Sequence, residues 1–166
     1  TLYPNEKLLI EKKGNVALSI GPFSRECFDV ISLKKCNLGL LVYEGHPLAN
    51  REIVTVEDLI DEKLYLENSS FKLNEVIQSR CWNKGFEPNI VFETNGFDLC
   101  YKMCRMKQGI SVTVDFVHDD MKTDGLVMIP FAEKDMVWEI GILTVKDKVC
   151  EPAVDKFCKF IENRFV

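Results

Sequence analysis

The chain has 166 residues, 46% of them hydrophobic and 28% charged, and its 21 basic and 26 acidic side chains give a formal net charge of −5. That composition builds an ordinary packed core and excludes disorder for the bulk of the chain. The acidic balance lacks the electrostatic footprint of a nucleic-acid binder, and no apolar run reaches the about 18 residues that a membrane span needs.

The elements follow in chain order. Residues 5–13 predict a short helix with Leu8 and Leu9 on it and Gly14 behind it. Residues 16–20 read as a strand ending at Gly21-Pro22, a strong breaker pair. Residues 28–33 alternate apolar and polar side chains, as an extended segment does, and 38–43 form a continuous apolar run of the buried-strand kind. A loop around Gly45 and Pro47 comes next. Thr55 then opens a short helix, with Asp58 at the capping-box spacing. Residues 63–67 predict a strand. Asn68, Ser69 and Ser70 precede a helix to about residue 84, with Leu73, Val76, Ile77 and Cys81 on one stripe and Gly85 as its stop. The cycle repeats: a strand at 89–94, a turn at Asn95-Gly96, a helix at 97–108 with Cys100 and Cys104 in line, and a short strand at 110–113. A helical turn at 114–118 and strands at 126–131 and 137–145 follow. Pro152 begins a last helix with the stripe Ala153, Val154, Phe157, Cys158 and Ile161.

Strand–helix alternation predicts an α/β fold with largely parallel strands. In such sheets ligands bind beyond the carboxyl ends of strands, beside helix N-termini. That selects four loops: Gly21-Pro22, 68–70, 94–96 and 111–113. Helix N-termini carry unpaired N–H groups and a partial positive charge, so these Ser and Asn residues can hold an anionic group as well as cap a helix.

No catalytic constellation is legible. His46 sits in a Pro-containing loop and His118 is followed by Asp119 and Asp120, with no nucleophile or metal partner beside either. Gly-x-Ser-x-Gly, His-Glu-x-x-His and P-loop motifs are absent. The selected loops hold no His or Lys, and Glu67 and Glu93 are only flanking acids. No metal site and no cofactor are expected. Cys100 and Cys104 share a helix face, but no further ligand is near in sequence. The seven cysteines, Cys27, Cys36, Cys81, Cys100, Cys104, Cys150 and Cys158, are odd in number and include no Cys-x-x-Cys. Reduced, mostly buried thiols in a cytoplasmic protein are the expectation. Residues 1–7 form no signal peptide, and the missing start methionine points to a piece of a longer chain.

Several segments carry a family resemblance in combination: LGLLVYEGHPLAN at 38–50, TVEDL at 55–59, KLYLENSS at 63–70, KGFEPNIVFETN at 84–95, GISVTVDF at 109–116, GLVMIPF at 125–131 and WEIGIL at 138–143. From about Leu9 onward this order is similar to the effector-binding (substrate-binding) domain of LysR-type transcriptional regulators. The resemblance implies a type 2 periplasmic-binding-protein-like α/β fold, with two subdomains joined by two crossover strands. Subdomain I would be 1–37 plus 131–166, and subdomain II 38–130, with the hinge through 34–38 and 129–133. A small-molecule effector, anionic by the helix-terminus argument, would bind in the inter-lobe cleft. Its contacts would be Ser69, Ser70, Asn95, Gly96, Val112 and Thr113 from the second lobe and Gly21 and Pro22 from the first.

The resemblance also implies a homodimer or tetramer, DNA contact only through a winged helix-turn-helix domain not in this chain, no membrane association and no enzymatic activity. The family's first strand and helix of subdomain I have no counterpart in this sequence. Asn15 stands where the family commonly has aspartate, and Ser111-Val112-Thr113 departs from its more apolar segment. The alternative is a solute-binding protein of a transport system on the same fold, which the seven cysteines oppose. An enzyme of that fold would need titratable groups that the selected loops lack.

Overall fold

A computed structural model describes residues 2–148 and 151–165 of the chain. Cys150 lies outside the described residues. The chain divides into two units, Thr1–Lys35 with Trp138–Val166, and Cys36–Val137.

In the first unit, α1 (Pro4–Ile10) precedes β1 (Ala17–Ile20), which pairs antiparallel with β7 (Val137–Val145) through Ala17 opposite Leu143 and Ile20 opposite Ile140. β7 in turn neighbours β2 (Phe28–Tyr43), which runs on into the second unit. Alternation along β7 sends successive side chains to opposite faces. Leu143 joins Leu9 of α1 and Phe28, while Ile142 joins Val154 and Cys158 of α5 (Pro152–Phe165). One helix thus covers each face of this sheet. Glu6 is 2% exposed and fixes the start of α1: its carboxylate accepts the Tyr3 N–H at 3.1 Å and the Ser19 hydroxyl at 3.3 Å. On α5 the expected stripe is narrower than the sequence suggests. Val154 and Cys158 are buried, but Phe157 is exposed.

The second unit is built on the later half of β2. It pairs antiparallel with β5 (Ser111–Val114) on one side and with β6 (Leu126–Pro130) on the other. β3 (Leu64–Glu67) pairs parallel with β4 (Ile90–Thr94), and a parallel bridge from Leu64 to Ile110 brings β3 to the start of β5. The expectation of largely parallel strands is therefore corrected: most of the named pairings are antiparallel. The cause is β2, predicted as two strands and found as one of 16 residues, because both of its partners in this unit run back against it.

Between β3 and β4 lies α2 (Lys72–Asn83), ended by Gly85 at φ +86, a left-handed conformation that glycine adopts without a Cβ penalty. α3 (Phe97–Arg105) follows β4 and buries Cys100, Tyr101 and Cys104. Tyr101 and Cys104 pack with Leu41 and Leu126. The short α4 (Asp115–Asp120) continues directly from β5.

The segment between β6 and β7 belongs to this unit because its backbone is tied there. Ala132 N–H donates to the Val54 carbonyl at 2.7 Å, Leu38 N–H to Met136 at 3.0 Å, and Glu133 accepts the Val56 N–H at 2.9 Å. That last bond caps a one-turn helix, Val56–Leu59, whose Thr55–Asp58 capping box is formed.

Candidate functional site

β3 and β4 are parallel neighbours, so their carboxyl ends lie side by side, with Glu67 opposite Thr94. The loops that follow are joined. Asn68 N–H donates to the Thr94 carbonyl at 2.8 Å, and the Asn68 amide nitrogen donates to Asn95 Oδ1. The same Asn68 accepts from the Ser70 N–H at 2.9 Å and the Ser70 hydroxyl at 2.5 Å. Asn68 is thus the hub that holds the two loops together.

Of the predicted contacts, Ser69, Ser70, Asn95 and Gly96 gather here. Ser69, Ser70 and Asn95 are exposed, and Gly96 is the N-cap of α3. α2 begins at Lys72 with Phe71 as N-cap, so neither Ser69 nor Ser70 caps it. Val112 and Thr113 lie inside β5, both buried. The Thr113 hydroxyl is engaged at 2.9 Å by the Tyr101 hydroxyl, which also meets His118 Nδ1 at 3.3 Å. Burial pushes the Tyr101 phenol up to about 12 and lowers His118. Gly21 and Pro22 follow β1 in the first unit. There the Gly21 N–H donates to the Glu139 carbonyl at 2.7 Å, and Gly21 is buried while Pro22 is exposed.

Below the two loops is a polar layer that sequence reasoning passed over. Glu67 is 3% exposed, and its carboxyl is pushed up to about 7 by burial. Its Oε2 has no hydrogen-bond partner among the described residues. Asn74, buried on α2, donates through one amide nitrogen to the Glu67 carbonyl oxygen and to Glu93 Oε1, both at 2.7 Å. The Asn74 carbonyl accepts from Gln78. Asn74 was legible only as a polar residue on the apolar side of a helix, beside Leu73 and Ile77.

The histidines are used structurally. His46 is 7% exposed, its Nδ1 accepts the Leu48 N–H at 3.2 Å, and its Nε2 lies 3.3 Å from Glu62. These contacts set the tautomer and pin the loop after β2. Among the described residues no group of three or more His, Cys, Asp or Glu side chains is placed to hold a metal ion, and no helix is long and apolar enough to cross a membrane. A surface hollow of about 500 Å³ flanks β4, lined by residues such as Gln78, Pro88, Phe92 and Glu93, and contains none of the loop residues.

Comparison with known proteins adds the following. The family described as LysR substrate binding domain matches residues 6–166. An uncharacterized HTH-type transcriptional regulator of Bacillus subtilis, YwbI, is 24% identical over 159 residues, covering 88% of this chain and 53% of its own length. The chain therefore spans about half the length of that curated relative. Among solved structures, the Synechocystis PCC6803 CcmR regulatory domain in complex with 2-PG superposes with a TM-score of 0.81 at 12% identity, covering 96% of this chain and 77% of the other. The BenM effector binding domain with its effector benzoate gives 0.78 at 21% identity, covering 96% and 72%.

Proposed function

This chain belongs to the LysR substrate binding domain family, and from that premise we propose that it is the effector-sensing domain of a DNA-binding transcriptional regulator. The fold is the type 2 periplasmic-binding-protein-like fold of such domains. The family match does not favour the transport-protein alternative. One observation carries the proposal: the loops after β3 and β4 are drawn together at the carboxyl ends of two parallel strands and locked by Asn68 and Asn95. That is where α/β sheets present ligand sites.

In this reading Ser69, Ser70, Asn95 and Gly96 contact a small-molecule effector. Val112 and Thr113 support the site from β5, and Gly21 and Pro22 are proposed contacts from the first unit. No catalytic step is assigned to any of them. DNA contact belongs to a helix-turn-helix domain outside this chain, the regulator works as a dimer or tetramer, and its place is the cytoplasm. The effector acts by binding one conformation of the domain better than another and shifting their populations.

A metabolite library tests the reading, with thermal shift as the screen and amide chemical shifts as the map. A hit that moves the amides of 68–70 and 95–96 supports it. Hits that move only other residues count against it, as does a library with no hit.

A further inference from the structure

Glu67 is the last residue of β3 and immediately precedes the hub residue Asn68. Its carboxyl is enclosed by the elements that carry the candidate loops. From α3 comes Cys100, whose thiol is pushed up to about 11, first by burial and further by the nearby Glu67 carboxyl. From β5 comes Ser111, whose hydroxyl donates to the Tyr65 carbonyl at 2.7 Å. From α2 comes Asn74, which spends its amide on the Glu67 backbone and on Glu93. Tyr65 shares the Glu67 face of β3 by alternation. None of these supplies a cation. Burial is the single cause that moves the Glu67 carboxyl, and no basic side chain offsets it. Oε2 stays without a donor among the described residues.

Buried carboxyl oxygens in native proteins are almost always bonded, and an exception calls for an explanation. We propose that Glu67 is the specificity-determining residue of the loop site, and that it selects an effector carrying a basic nitrogen, an ammonium or amidinium group, over a carboxylate or phosphate. The inference rests on the reading of 68–70 and 95–96 as the effector site. A cation provides both the missing donor and the counter-charge. An acid would bring a second negative group beside a desolvated carboxyl, which disfavours ionisation of both. The N-terminal ends of α2 and α3 pull the other way, but each amounts to about half a charge and acts over one turn. Pairing with a cation ionises Glu67, so binding transfers its proton to the buffer.

The experiment uses the full chain and matched probes: benzamidine against benzoate, and cyclohexylamine against cyclohexanecarboxylate. Calorimetric titration is run just below the Glu67 midpoint in two buffers of different ionisation enthalpy, while amide shifts of 68–70 and 95–96 are followed. The bases should bind at these loops with proton release. Glu67→Gln should abolish that release and weaken binding at least about tenfold, as loss of a charged hydrogen bond does. Should this variant fold poorly, proton release by the unaltered chain decides alone. Acids that bind at these loops in preference to bases, with Glu67→Gln neutral or tighter, overturn the inference and leave the loop reading standing. If no probe moves the loop amides, the loop reading fails and this inference with it.

Discussion

The Asn68 side chain reaches across 27 positions to Asn95 and ties the loop after β3 to the loop after β4. Because Asn68 also accepts twice from Ser70, it carries more of the local order than Asn95 does. Asn68→Ala should cost about 1 kcal/mol of stability, and Asn95→Ala less, since only one side-chain bond goes with it. Urea denaturation gives the costs, and faster hydrogen exchange at Ser70 should mark Asn68→Ala alone. Equal exchange in both variants would refute the hub.

Glu67 makes the domain's stability depend on pH in a definite direction. Its folded value of about 7 lies above the ordinary 4.5, so the folded state holds the proton more tightly. Its favourable contribution is full below about 4.5 and is lost as pH rises through 7. The span corresponds to about 3 kcal/mol, at 1.36 kcal/mol per unit. Glu67→Gln should flatten this part of the stability profile and leave the variant the more stable protein above pH 7. A steeper profile in the variant would contradict the assignment.

Three of the thiols of the second unit should be inert in the folded protein. Cys81, Cys100 and Cys104 are buried, and burial pushes them up to about 11, 11 and 12. Cys104 also donates to the Leu41 carbonyl at 3.6 Å. The thiolate is the reactive form, so alkylation should spare these three and reach Cys27, which is partly exposed. Mass spectrometry after iodoacetamide treatment reads the outcome. Rapid native labelling of Cys100 or Cys104 would show that α3 opens readily.

Gly109 is required by the approach of two chain segments. A Cβ there would run into the Lys63 carbonyl oxygen and the Tyr65 ring, where the Leu64–Ile110 bridge brings β3 to β5. Gly109→Ala should lose about 1–3 kcal/mol, the cost of overpacking against backbone. Gly45→Ala, which meets only ordinary contacts, should stay within about 0.5 kcal/mol. Urea titrations of both variants make the comparison.

Local chemistry explains which elements were legible. The Thr55–Asp58 capping box, the Gly85 stop and the α2 stripe were all visible in the sequence, Leu73, Ile77 and Cys81 of that stripe being buried and Val76 only half-buried. Each depends on neighbours within a turn or two, and the same signals marked the loops around Ser70 and Asn95. Strand direction was not legible, because pairing joins β2 to β5 and β6 from far along the chain. Nor was the fate of particular groups, which depends on what the fold packs against them. Thr113 stands among the predicted effector contacts, and only the packed fold shows its hydroxyl engaged by Tyr101. Glu67 read as a flanking acid, and it became a buried, lone carboxyl only when α3 and β5 closed over the end of β3. By itself the sequence determined an acidic α/β chain of LysR type with its candidate loops, since periodicity and capping are short-range. Which polar groups are paired, buried or left over was decided by the tertiary structure, because desolvation is a property of the packed fold and not of the residue.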